Sequence, residues 1–373
     1  MTRLLVAPDS FKGSLPAGAA VAAITAGLQR AWPGLVVDGQ PLADGGEGTG
    51  AVWEGLGARR VPVAVEDVFG RPQAGYYLLR GDTALVEAAV GSGFLPEAAR
   101  PAGGEYASSR GTGRLLAAAL ADRRVRQVLL ALGGTGSSDG GLGLLEALGW
   151  EFIGRGGRPL PPGAQGLGQV EVVRPRRFPK PLLGLVDVDC PLTGPEGALQ
   201  LFGPQKGIPP EQAQVLDRAM VAYAFRLTAV TGADPAAPGA GAAGGMGFAV
   251  LALGGRLVPG AEAVAGWVDL DRRLAAADGV ITGEGRLDGQ SAHGKVVGLV
   301  ARRARAAGRR AWALCGSRGP GAEALYDLGL TGIYPLVPGP LPLRVAMDGA
   351  AALLEEAAYH LGRWLRAEAD GRA

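Results

Sequence analysis

Four stretches place reactive side chains among glycines: APDSFKGS at 7–14, ADGGEGTG at 43–50, LGGTGSSDGG at 132–141 and TGEGRLDGQSAHGK at 282–295. Each combines carboxylates, hydroxyls or a lysine with residues that let backbone N–H groups turn toward an anion. Two more segments add to the set, VDVDC at 186–190 and LFGPQKGIPP at 201–210. Phosphoryl transfer uses this kind of inventory, because it needs few covalent actors and many placed charges. Acyl transfer fits less well. Only His293 and His360 offer imidazoles, and no G-x-S-x-G stands in a nucleophile-elbow context.

Individual positions carry alternatives. Asp187 and Asp189, two residues apart after an apolar run, point the same way if the strand continues, although loop capping would account for them equally. GQSAHGKV resembles a P-loop, but Val296 stands where the magnesium-binding hydroxyl belongs, so that assignment is rejected. Lys295 then either meets a phosphate beside a helix N-terminus or starts a solvated helix. In the first loop, Ser14 and Pro16 also suit a helix cap and first helical residue.

Composition narrows the class. The 373 residues carry 37 Lys plus Arg against 35 Asp plus Glu, and a net charge of +2 gives no case for nucleic acid. The arginines of RRARAAGRR at 302–310 read as a solvated helix face. No apolar stretch reaches the roughly 20 residues of a membrane span, so a soluble, cytoplasmic protein is expected. Cys190 and Cys315 are too few for a zinc motif or a disulfide framework. The 64 glycines accompany 47% hydrophobic residues, which excludes collagen and disorder.

Positioning these loops requires strand-to-helix units. RLLVA at 3–7 precedes a helix at 17–31, a strand follows at 35–42, and short antiparallel strands fit 61–90. Helices fit 112–122, 210–230 and 346–365, and a buried strand fits 125–134. The fold expected is α/β: a discontinuous Rossmann-like parallel-sheet domain (1–62, 105–134 and 271–373) with a second, mixed α/β domain (63–104 and 135–270) inserted, and the active site in the cleft.

PDSFKGS, PLADGGEGT, GG-x-x-x-x-DGG at 133–141, FGPQKG, GAGAAGG and TGEGRLDGQSAHGK occur in one order along essentially the whole chain. Together they resemble the bacterial glycerate 2-kinase family. The resemblance implies ATP-dependent phosphorylation of D-glycerate, most simply at the 2-hydroxyl, with magnesium accompanying ATP. A 3-phosphoglycerate product and a noncatalytic small-anion sensor are the alternatives, and a monomer and a homodimer both fit. The resemblance does not say which residue moves the proton; the division of labour expected here makes Asp187 the base or hydroxyl-orienting acid, aided by Asp189. Lys12 and Lys206 neutralise the glycerate carboxylate or the transferred phosphate. Asp9, Ser10, Ser14, Asp44, Glu47 and Arg110 join them at the substrate. Gly133, Gly134, Gly244 and Gly245 receive nucleotide phosphates with Lys295, while Asp139, Glu284 and Asp288 are the candidates for magnesium. Some positions depart from the family pattern. GTGSSDGG replaces GSATNDGG, Cys190 replaces an asparagine, and Arg110 replaces an aromatic residue.

Overall fold

A computed structural model describes residues 2–292 and 294–371; His293 lies outside the described residues. Along the chain, β1 (Arg3–Val6), α1 (Ala17–Ala31) and β2 (Val36–Gly39) are followed by α2 (Thr49–Gly55) and three strands, β3 (Arg59–Glu66), β4 (Pro72–Arg80) and β5 (Thr83–Glu87). Next come α3 (Arg110–Ala121), β6 (Gln127–Ala131), α4 (Leu142–Ala147), the strands β7 (Glu151–Gly154), β8 (Val170–Arg174) and β9 (Leu182–Val186), then α5 (Pro210–Thr231), α6 (Ala242–Ala252) and β10 (Arg256–Pro259). The chain ends with β11 (Gly279–Leu287), α7 (Val296–Ala306), β12 (Arg310–Arg318), β13 (Leu330–Pro335) and α8 (Ala350–Ala369).

Two compact units result, one made of residues 1–44 and 261–373, the other of 45–260. This corrects the expected boundaries. Residues 105–134 were assigned to the domain of the chain ends, but β6 pairs with β5 and β9 inside the second unit, and residues 45–62 belong there too. Short apolar runs look alike whichever sheet they enter, which is why β6 was misplaced.

The first unit contains a five-stranded sheet ordered β13-β12-β11-β1-β2, with every pairing parallel. Numbered within the unit, that is the doubly wound order 2-1-3-4-5 and not the six-stranded dinucleotide-binding order. Alternation along β1 sends Leu4 and Val6 into a cluster with Ile24, Leu28, Leu354, Ala358 and Leu361. Burial of each such large aliphatic side chain contributes about 1.5–3 kcal/mol. α1 and α8 approach so closely that a Cβ on Gly27 would lie 2.1 Å from the Glu355 carbonyl, so glycine is required at that crossing. α7 buries Val296, Val297, Val300 and Ala304 and leaves its arginines outward, where Arg303 pairs with Glu262 and Asp271. β11 runs on through TGEGRL, which the sequence reading had placed in a loop.

The second unit holds a six-stranded mixed sheet, β10-β9-β6-β5-β4-β3, parallel from β10 to β5 and antiparallel beyond, and a separate β7-β8 hairpin. The antiparallel edge matches the pairing expected around 61–90. Its core joins the apolar runs of β6 and β9 to α3, α5 and α6. Among the described residues, no helix is long and apolar enough to cross a membrane.

Candidate functional site

In the first unit, three segments run past the carboxyl ends of neighbouring strands. Ala7 and Asp9 donate backbone N–H bonds to the carbonyls of Ile281 and Gly283, and Gln40 and Leu42 donate to Val6 and Pro8. The chain beyond β1 therefore continues alongside β11 on one side and residues 40–44 on the other. That extension brings Asp9, Asp44 and Glu284 together at the switch point of the sheet, where open α/β folds bind ligands. All three are buried, at 2%, 1% and 7% exposure.

Burial, followed by the charge of Asp44, pushes the Asp9 carboxyl well above its ordinary range. Burial raises Glu284 as well, opposed by a 2.5 Å hydrogen bond from the Ser291 hydroxyl and by the charges of Lys295 and Lys12. Lys12 Nζ stands 3.6 Å from Asp44 Oδ2, with its side chain 54% exposed. Ser10 contributes its backbone N–H to Asp9 Oδ1 at 2.6 Å. Lys295 is the half-buried N-cap residue of α7. Ser14 does not cap α1: Pro16 occupies the N-cap position without a side-chain bond, and the Ser14 N–H goes to the Phe11 carbonyl.

In the second unit, the loop after β6 carries Gly133 to Gly141. Gly133 packs against Gly46, since a Cβ there would meet Gly46 Cα at 2.3 Å. Lys206, only 6% exposed, donates from Nζ to the Ser137 carbonyl at 2.7 Å and stands 3.5 Å from Thr135 Oγ1. Burial lowers its ammonium to about 8, with Asp139 and Cys190 acting in the opposite direction. Asp187 is half-buried just beyond the end of β9, and Asp189 is exposed. Asp187 and Lys206 both act electrostatically on the Cys190 thiol, which burial raises to about 11.

Several of the expected site residues have other partners within the fold. Asp139 is wholly buried, and its oxygens already accept from the backbone N–H groups of Ser109, Gly141 and Gly143 and from the hydroxyls of Ser108 and Ser109. These bonds hold the loop onto α3 and α4. Gly244 and Gly245 were expected to bind phosphates. Instead they take left-handed φ of 68° and 97° where a Cβ would strike the Ser137 carbonyl at 2.1 Å and Gly140 Cα at 2.5 Å. Backbone packing accounts for both. Asp288 lies 3.3 Å from Arg286 Nε and accepts the Gln290 N–H at 3.0 Å. Arg110 is taken up by Glu66 at 3.1 Å and Glu146 at 3.3 Å, and Glu47 is exposed. Among the described residues, no group of three or more His, Cys, Asp or Glu side chains has the arrangement to hold a metal ion, Asp9, Asp44 and Glu284 included.

Comparison with known proteins identifies the family. Residues 4–366 match the glycerate kinase family model. The chain belongs to the glycerate kinase family. It is 37% identical to the glycerate kinase of Halalkalibacterium halodurans, over 97% of both chains. Similarity to the glycerate 2-kinase of Escherichia coli is 33% identity, over 93% of this chain and 94% of that one. A crystal structure from Salmonella typhimurium LT2, of a protein provisionally named glycerate kinase 2, superposes with a TM-score of 0.81 at 34% identity, covering 99% of each chain.

Beyond the motifs of the glycerate kinase family, sequence reasoning missed residues that brace the loops. Ser291 holds Glu284, and Ser109 links Asp139 to the Leu144 N–H at 2.9 Å. Glu87, at the end of β5, accepts the Gly50 N–H at 2.9 Å and fills the space a Gly50 side chain would need. A pair of serines before α3 was the one legible hint. The other contacts join distant residues and leave no local pattern.

Proposed function

We propose that this protein transfers the γ-phosphoryl group of ATP to the 2-hydroxyl of D-glycerate, giving 2-phosphoglycerate and ADP. The observation that carries the reading is the buried ammonium of Lys206, fixed against the glycine loop by the Ser137 carbonyl. A surface lysine keeps its charge in water. A cation held in a dry environment is already oriented for an incoming carboxylate or phosphoryl oxygen, and such preorganisation is a large term in phosphoryl transfer. Family membership supplies the substrate class.

In this reading the Asp187 carboxylate orients the acceptor hydroxyl and takes its proton; Asp187 and Lys206 both act electrostatically on Cys190. Lys12 and Lys295 supply further positive charge near Asp44 and Glu284. Those two buried carboxylates offer the oxygen ligands that a hard divalent cation takes. Asp44 and Glu284 would hold magnesium, which when bound neutralises the charge of the nucleotide phosphates. The Ser10 N–H holds the Asp9 carboxyl beside them.

The test is ATP turnover with D-glycerate, with the product's phosphorus position read by 31P NMR, for the parent and Asp187→Asn. The expected product is 2-phosphoglycerate, with turnover in the variant lowered by about 100-fold or more, in line with loss of a general base. A 3-phosphoglycerate product overturns the regiochemistry. Undiminished turnover in a folded variant removes Asp187 from the chemical step. Ligand bound but unchanged after incubation with ATP and magnesium overturns the kinase reading.

A further inference from the structure

We infer that Arg100 is a positioning residue that sets the orientation of Lys206 by clasping the turn that carries it. The inference rests on the reading of Lys206 as the cation that receives the acceptor carboxylate or the transferring phosphoryl group.

The Lys206 turn is a single 3-10 turn, Pro204–Lys206, ending at Gly207 with a left-handed φ of 85°. Such a short turn has little rigidity of its own. Arg100 spans it from outside: Nε donates to the Leu95 carbonyl at 2.7 Å and Nη2 to the Gln205 carbonyl at 3.0 Å. The guanidinium also lies 5.0 Å from the centroid of the Phe94 ring, which adds a cation–π contact. The planar fork fixes both carbonyls at once, which a lysine ammonium on a flexible stem does less well.

Two glycines record how tight this contact is. A Cβ on Gly207 would come within 2.2 Å of Arg100 Nη1, and one on Gly104 within 2.1 Å of the Lys206 carbonyl. The Gly104 N–H then bonds the Gly207 carbonyl at 3.2 Å.

The same segment also grips the glycine loop. Phe94 donates its N–H to the Gly134 carbonyl, Gly136 donates to the Ser92 carbonyl, and Gly93 bridges Thr135. Residues 92–104 thus brace both the Lys206 turn and the loop whose Ser137 carbonyl receives the Lys206 ammonium. Arg100 is the side chain through which the brace reaches the turn, and its removal frees the backbone of Gln205 next to Lys206.

The experiment compares the parent with Arg100→Met, Arg100→Lys, Lys206→Met and the Arg100→Met/Lys206→Met double variant, with steady-state kinetics at 25 °C and thermal melts. If Arg100 acts through Lys206, Arg100→Met lowers kcat/KM for D-glycerate by about 10-fold or more, as expected for loss of a charge-assisted hydrogen bond. Arg100→Lys recovers part of that loss. The double variant is then no worse than Lys206→Met, which a purely structural role would not produce. Additive losses, or a lowered Tm with unchanged kinetic constants, overturn the inference. If Arg100→Met fails to fold, Arg100→Lys in both backgrounds decides by the same additivity criterion. A parent with no glycerate-dependent ATP turnover defeats the functional reading itself. An active parent with an unaffected Arg100 variant defeats only the present inference.

Discussion

The Lys206 ammonium donates to the Ser137 carbonyl at 2.7 Å, joining the FGPQKG turn to the glycine loop across 69 residues of sequence. The lysine is nearly buried, so removing its charge relieves a desolvation cost while removing one hydrogen bond. Lys206→Met is expected to keep Tm within a few degrees of the parent while kcat/KM for D-glycerate falls by about 100-fold or more. Activity assays beside calorimetry check this, and a parallel loss of stability and activity would make Lys206 structural.

The same lysine makes stability and activity diverge with pH. Its ammonium titrates near 8 in the folded protein against 10.5 in the unfolded chain. A lowered folded value means that the charged form costs stability at and below pH 8. Between about pH 8 and 10.5 the unfolded chain keeps a proton that the folded chain has released, so the Lys206 contribution rises with pH across that window. The cationic form needed for an anion is lost over the same range. Urea unfolding from pH 7 to 10.5, with Lys206→Met as reference, should show the parent gaining relative stability while its turnover declines.

Asp139 tests the loop scaffold. Asparagine keeps the shape but turns one acceptor into a donor facing N–H groups that already point inward. Asp139→Asn is expected to lose about 2–4 kcal/mol of stability, read from denaturant midpoints, with activity falling alongside. Full stability with reduced magnesium affinity would restore the metal role.

Gly244→Ala separates packing from phosphate binding. The added Cβ would press on the Ser137 carbonyl in a left-handed backbone, so a loss of about 3 kcal/mol or more is expected. A variant with unchanged Tm and a raised KM for ATP would mean that this backbone faces the nucleotide after all.

Asp9→Asn addresses the carboxylate group of the first unit. An amide keeps an oxygen for the Ser10 N–H and removes one charge from beside Asp44 and Glu284. Stability at pH 7 is expected to hold or rise, measured by thermal melts. A drop of several degrees would show that the ionised form of Asp9 is needed for folding.

Much of the candidate site was legible because the chemistry sits where strands end. PDSFKGS follows β1, the loop of Gly133 follows β6, and Asp187 follows β9, each marked by an apolar run giving way to glycine or acid. Long helices such as Ala17–Ala31 and Pro210–Thr231 were equally plain. Sheet membership was not, because Val128, Leu129 and Leu130 of β6 have the character of any buried strand. Glycine proved ambiguous for a related reason: Gly244 looks like an anion loop in sequence, yet its need for glycine comes from the Ser137 carbonyl, more than a hundred residues away. Arg100 and Ser291 had no legible signal, since their partners are backbone or side-chain atoms that only the fold brings near.

The pairing of Leu4 with Gly279 has a consequence for synthesis on the ribosome. Translation of the whole insertion separates the two partners in time, by on the order of tens of seconds. During that interval Leu4, Ile24 and Leu28 lack the cover that Ile281, Trp312, Leu354 and Leu361 give them in the folded chain, while residues 45–260 are already a continuous piece. Residues 3–39 thus wait longest for their packing partners, and a chaperone acting on the emerging chain would be needed there before residues 45–260.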